Sequence, residues 1–459
     1  MSKLIFKSGD DWTFDLIDKV WEEIQIIGRD ELKATWYPAQ IEIVTAEQML
    51  DAYSAVGMPI YYKHWSFGKE YLKNEKYYKN GQMGLAYEMV INSDPCIGYL
   101  MEENDMAMQT MVLAHAMVGH SAVFKNNCYF KDNTHADSII DYLTFAKNYI
   151  RKCEEKYGED QVEAVVDACH ALSDYGIDKY KRPGKLNVKD EEAAAQAKFE
   201  QEFADYDPIW AKLIKKPVKT ETNEKIKFPK EPEDNILYFL EKNSPLIDKW
   251  KKEIIRIVRK ISQYFSPQGQ TKTLNEGYAS FSHYYIMNRL YDKGLIDEGT
   301  IFSFLKSHTS VLFQPGFDSK WFSGFNPYAL GFAIFTDIKR ISENPTDEDR
   351  KYFPDLIGNE WQDNVNYARD NFKDDSFISQ YLSPKVVRDF RMFHLEASHG
   401  SGRYYVENIH NEQGFYNLRE QFSKQFNRSS YVPDIRVTNV DFSGNRKLTL
   451  KHYPINDIP

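Results

Sequence analysis

The chain has 459 residues with a formal net charge of -10, and is 42% hydrophobic, 27% charged and 15% aromatic. A chain of this length with so many large rings buries a sizeable core, which excludes general disorder and sets a soft expectation of two or three domains. The acidic balance argues against a broad nucleic-acid footprint, no apolar run is long enough to predict a membrane span, and the N-terminus does not read as a secretory signal.

In chain order, the apolar spacing predicts an amphipathic helix over Trp12–Ile27 and another over Ala46–Gly57. The ring-dense stretch from Tyr61 to Gly68 reads as a core or pocket wall. Between Leu85 and Tyr99, the apolar runs YEMVI and CIGYL flank the turn signal NSDP and predict a β-hairpin. A long helix is expected over Met101–Phe124. The next runs from His135 to about Tyr157, with Thr134 as its cap, and another from Gln161 to about Gly176. The polar, proline-punctuated stretch from Lys179 to Asn235 reads as an extended, partly helical excursion. Helical patterns return over Ile236–Glu241, Leu246–Phe265, Thr273–Asp292 and Glu298–Ser307, with a short helix after Pro384. The tail combines RYYVENIH, the helix-like FYNLREQFSKQF and the alternating IRVTNVDF and NRKLTLKHY. The expected fold class is therefore α+β: a predominantly helical core, one short β-hairpin and a small C-terminal antiparallel α+β unit. The expected units are 1–195, carrying the paired histidines; 196–235, the charged excursion; 236–395, a second helical half packing on the first; and 396–459, the C-terminal unit.

Four cysteines without a CxxC pair fit a reducing compartment, and the cytosol is the expected location. No GxSxG nucleophile elbow is present, and the thiols have no activating partner in sequence. The chemistry gathers instead on histidines. His115 and His120 fall inside the apolar run MVLAHAMVGH. Buried imidazoles destabilise a fold unless each ring nitrogen finds a partner. A metal site inside the fold is thus the first hypothesis, set against a metal-free polar network and separately bonded structural histidines. In a straight α-helix the two rings stand about 140° apart and roughly 7.5 Å along the axis. Gly119 would have to break or kink the turn to bring His120 round. The HExxH signature is absent.

Asp167 and His170, three apart, can converge on one helix face, and histidine with carboxylate matches zinc, iron or manganese chemistry. The plainer alternative is a surface acid beside a core histidine. Glu276 and His283 share a helix face but lie about 10 Å apart along the axis. One can serve a metal while the other supports it or lines a substrate pocket; the alternative is a paired buried glutamate and a hydrogen-bonded histidine. His308 precedes loops that could close a pocket. His410 and Glu412, near a turn, read as recognition or packing residues.

Longer blocks carry more information than any lone histidine. They are Tyr87-Glu88-Met89-Val90-Ile91-Asn92, Pro95-Cys96, Tyr99–Asn104, AHAMVGH at Ala114–His120, Phe124–Asn127, Asp167–Leu172, NEGYASFSH at Asn275–His283, FNPYALG at Phe325–Gly331 and IHNEQGF at Ile409–Phe415. In these blocks the chain resembles the stage V sporulation protein R (SpoVR) family over nearly its whole length. It departs at Tyr278, where relatives usually carry tryptophan. The resemblance implies a link to formation of the spore cortex, a peptidoglycan layer, and relatives also occur in non-sporulating bacteria. It assigns no reaction, but it adds weight to His115, His120, Glu276 and His283.

The leading expectation is a metal-dependent hydrolase of an amide or related bond in cell-wall material or its precursor. His115, His120, Asp167 and His170 are the candidate ligands for a divalent metal, zinc first and iron or manganese next. Glu276, His283 and Tyr87 are the candidate catalytic residues. Glu276 serves as base, or as a ligand with another acid receiving the proton, and Tyr87 or His283 stabilises oxyanion charge. The alternative is a non-catalytic regulatory or scaffold protein for cortex assembly, binding a sporulation partner through aromatic grooves around a structural polar or metal cluster.

Overall fold

The computed structural model describes residues 4–80, 87–179, 229, 231–316, 319–392, 394–397, 404–407, 412–427, 431–441 and 447–454. Most of the predicted charged excursion, and His410, lie outside the described residues. The fold is predominantly helical, with short strands in small sheets, and so belongs to the α+β class.

The first helix, Phe14–Asp30, starts where the Thr13 hydroxyl accepts from the Leu16 amide, and it buries Ile17, Val20, Ile24 and Ile27 at helical spacing. Strand β1 (Ala39–Val44) follows. The predicted hairpin forms from β2 (Glu88–Ile91) and β3 (Cys96–Met101), antiparallel, with Val90 opposite Gly98. β1 pairs parallel with β3 on its other side, giving the order β1-β3-β2.

The long helix expected over Met101–Phe124 is three segments in succession. An α-helix, Met106–Leu113, is capped by Asp105; a π-helical segment covers Ala114–His120; an α-helix, Ser121–Asn126, completes the run. The helix expected from His135 begins instead at Ile139. Thr134 ends the preceding short helix Cys128–Asn133, its hydroxyl donating back to the Phe130 carbonyl. Trp65–Lys79, within whose first turn the ring-dense stretch ends, is a helix capped by His64.

A central helix, Lys272–Asp292, organises the core. It is almost apolar-blind in sequence because it is enclosed on several sides, burying Asn275, Ser280, Ser282 and His283 as well as Leu274, Tyr278 and Ile286. Three neighbours approach its backbone. A Cβ on Gly119 would stand 2.5 Å from the Ala279 Cα, and one on Gly277 would stand 2.3 Å from the Gly331 Cα, on helix Pro327–Glu343. The buried Asp374 carboxylate accepts from the Thr273 and Leu274 amides at the N-terminal end. The small residues therefore let the π segment and helix Pro327–Glu343 dock at main-chain distance on opposite faces of the central helix. The core around it draws on Phe6 and Val20 near one end of the chain and on Phe415 and Phe422 near the other. A second apolar cluster joins helices Ile139–Tyr157, Glu159–Ala171 and Lys249–Gln270. The C-terminal part holds antiparallel β4 (His394–Ala397) and β5 (Tyr404–Glu407), helix Glu412–Gln425, and antiparallel β6 (Ile435–Val440) and β7 (Leu448–His452). Among the described residues, no helix is long and apolar enough to cross a membrane.

Candidate metal centre

The π segment resolves the spacing problem of His115 and His120. Its hydrogen bonds reach five residues back, as from the Ser121 amide to the Ala116 carbonyl, so residues five apart stack on one face. The two rings meet edge-to-face with centroids 4.6 Å apart. The central helix presents Glu276 to them, because the Gly119–Ala279 contact fixes its depth. Glu276 Oε2 lies 3.5 Å from His120 Nε2 and 3.7 Å from His115 Nε2. Ligand atoms of these three residues all fall within 4.8 Å of one another. Glu88, at the start of β2, brings Oε1 to 3.7 Å from His115 Nε2.

These separations are too long for hydrogen bonds. They do fit ligands around one ion: two atoms each about 2.05 Å from a tetrahedral zinc stand about 3.3 Å apart. Glu276 Oε2 is buried and has no hydrogen-bond partner among the described residues, as expected of an oxygen reserved for a cation. The outer nitrogens are held as well. Asn275 Oδ1 accepts from His120 Nδ1 at 2.9 Å, leaving the Nε2 lone pair facing Glu276. His115 Nδ1 lies 2.9 Å from His283 Nδ1, and His283 Nε2 lies 2.7 Å from His308 Nδ1. If His115 keeps its Nε2 lone pair inward, its Nδ1 donates to His283, and His283 Nε2 donates to His308.

Electrostatics follow burial and neighbours. Burial drives His120 down to about 4, with the facing His115 adding to the shift. It also lowers His283 far below its usual range, so both rings are neutral. Burial works against protonating His115 too, but Glu276 and Glu88 outweigh it and hold that ring above its ordinary value. Burial pushes the Glu88 carboxyl up. For Glu276, burial is outweighed by His120, His115 and the Tyr328 hydroxyl, and the carboxyl is held below its ordinary value. The neutral His120 ring and the ionised Glu276 carboxylate are in the states a metal requires, whereas His115, whose proton the two carboxylates favour, would have to release it on binding an ion.

The cluster opens on a cavity of about 620 Å³ lined by His120, Glu276, Glu88, Asn275 and Tyr328 on its polar side and by Met89, Phe124, Phe130 and Phe265 among its apolar residues.

Of the residues singled out in sequence, His115, His120 and Glu276 come together. His283 lies behind His115. Asp167 and His170 do not join this set; they form a second cluster around His64. His64 Nε2 is 2.8 Å from Asp167 Oδ1, which also accepts from Trp65 Nε1, while His64 Nδ1 is 2.6 Å from Ser66 Oγ. The Tyr62 hydroxyl is 2.6 Å from His170 Nε2. Asp167, 46% exposed, ties the start of helix Trp65–Lys79 to helix Glu159–Ala171. Tyr87 is 48% exposed, and its carbonyl is bonded to Asn104 Nδ2. Its neighbour Glu88 faces the cluster instead, since successive strand residues point to opposite faces. Glu88 and Tyr328 escaped sequence reasoning, although both sit inside the quoted blocks YEMVIN and FNPYALG. All four cysteines are free, and burial pushes the Cys96 and Cys169 thiols up to about 12.

Fold and site together define a helical α+β protein with a two-histidine, two-carboxylate cluster at the floor of a cavity. The family model described as SpoVR like protein matches residues 11–431, and the chain belongs to that family, whose name ties it to sporulation. A protein of Escherichia coli (strain K12), described as uncharacterized protein YcgB, is 51% identical over 451 residues, covering 98% of this chain and 88% of YcgB. No solved structure matches the chain.

Proposed function

We propose that the protein is a metal-dependent hydrolase of amide or related bonds, acting in sporulation on a cell-wall precursor. The observation that carries this reading is the unpartnered Glu276 Oε2 facing two imidazole nitrogens whose outer atoms are already bonded. His115, His120 and Glu276 would hold a divalent ion, zinc first and iron or manganese next, with Glu88 beside it. Such an ion supplies a nucleophilic water near neutral pH and polarises a carbonyl. With Glu276 used as ligand, Glu88 is the acid placed to take the proton from water at Oε1 and return it to the leaving amine. The Tyr328 hydroxyl borders the same space and can donate to a developing oxyanion. His283 acts through His115, fixing its tautomer. The open cavity supports a catalytic site over a closed structural one, and so weighs against a scaffold role.

The test is elemental analysis of protein purified without chelator, together with mass spectrometry of peptidoglycan precursors incubated with it. One divalent ion per chain, lost in a His120→Ala/Glu276→Gln double variant, and new amine termini made only by the parent protein are expected. Metal-free protein that remains inactive when zinc, iron or manganese is added defeats the proposal.

A further inference from the structure

Two exposed residues of unlike chemistry line the cavity. One is Lys272. Among the described residues lining the cavity it is the one lysine or arginine, and it forms no ion pair with any described residue. It shares a helix face with Asn275 and Glu276 and stands one turn, about 6 Å along the axis, before Glu276. Local structure does not account for it. Lys272 opens the central helix, where the helix dipole disfavours a cation. The next two amides are already bonded by Asp374.

The other is Val56, 49% exposed, with φ +57. A β-branched residue in the left-handed region is strained. The loop nevertheless sets this apolar side chain at the rim, with Gly57 following at φ +76. Met58, Met89 and Phe265 continue the apolar lining. Without an ion, Glu88 and Glu276 repel an anion from the cluster, and with one bound their charges offset it, so Lys272 is the uncompensated positive group among the described residues lining the cavity.

We infer that the cavity selects an anionic amide. Its carboxylate or phosphate pairs with Lys272, its apolar body lies along Val56, Met58 and Phe265, and its amide carbonyl reaches the floor at His120 and Glu276. The amide rests on the hydrolase reading above; the selection of an anion rests on the cavity alone.

The full chain, supplied with zinc, is titrated calorimetrically with N-acetylphenylalanine, with its uncharged carboxamide and with phenyl phosphate. At least one anion is expected to bind about tenfold or more tightly than the carboxamide, and Lys272→Gln to shrink that preference below about threefold. Which anion gains tells a carboxylate ligand from a phosphate one, and either supports the inference. Equal binding of all three probes, or an undiminished preference in Lys272→Gln, overturns it. Circular dichroism confirms that this exposed substitution leaves the fold intact. Zinc content measured on the same samples separates the two readings: an anion preference removed by Lys272→Gln in protein that binds no zinc sustains the pocket and sinks the metal.

Discussion

Asn275 touches no proposed substrate, yet its amide oxygen decides which nitrogen of His120 faces Glu276. Removing it in Asn275→Ala frees the ring to adopt the other tautomer, and zinc affinity should fall about 10- to 100-fold. Competition with a chromophoric chelator measures this directly; unchanged affinity would show that the bond orients nothing. Glu88→Gln should behave differently, keeping zinc within about threefold while lowering turnover by about 100-fold or more, because it removes a proton acceptor rather than a ligand. Chelator competition and single-turnover assays on one preparation distinguish the two variants. At this scale the sequence was partly legible. His115 and His120 stood out because imidazoles are costly in an apolar run, and Glu276 because small residues surround it. Glu88 was hidden: a glutamate opening a half-polar strand looks like an outward-facing one until the register is known. Asp167 and His170 illustrate the converse, since their correct helical pairing said nothing about which other side chains they would meet.

Docking of the central helix depends on glycines at contact points. A methyl on Gly331 would stand 2.1 Å from the Thr273 carbonyl oxygen and 2.6 Å from the Gly277 Cα. Backbone cannot yield as a flexible side chain would, so Gly331→Ala should destabilise by about 1–3 kcal/mol or more. Urea denaturation tests this, with Gly269→Ala as control. Gly269 is helical and has nothing within 4 Å of an added Cβ, so that change should be neutral or stabilising by up to about 1 kcal/mol. Element types and rough bounds were readable where periodicity was strong, as in Phe14–Asp30, the β2–β3 hairpin and Lys249–Gln270. The π segment was not. Gly119 signalled that the turn could break, but not that it would widen into π winding with Gly119 set against the Ala279 backbone. The parallel pairing of β1 was equally invisible, because it joins residues 57 apart in sequence, as Ala39 and Cys96.

For the whole molecule, the buried histidines predict sensitivity to acid. Burial lowers His170 and His308 from 6.5 to about 4. Between those values the unfolded chain takes up protons that the folded rings refuse. Their contribution is complete above pH of about 6.5 and is lost as pH falls toward about 4. His115, raised, contributes in the opposite sense. Urea midpoints of chelator-treated protein should therefore drop between pH 7 and pH 5, and His170→Asn should flatten the slope. A flat profile in the parent protein would contradict the burial seen here. The core also makes the two ends of the chain interdependent, since Phe6 and Phe422 belong to one apolar cluster. A sequence window of any helix length cannot reveal that closure. The wide winding of Ala114–His120 has a consequence for how such a chain can diverge. Each residue of an α-helix advances about 100°, so inserting a single codon there would swing one imidazole away from its mate while leaving hydrophobicity untouched, whereas losing one would give the four-residue spacing that an unbroken α-helix already stacks. Lineages that retain the chemistry should therefore pair either the longer spacing with wide winding or the shorter one without it, even where the letters between the two histidines drift.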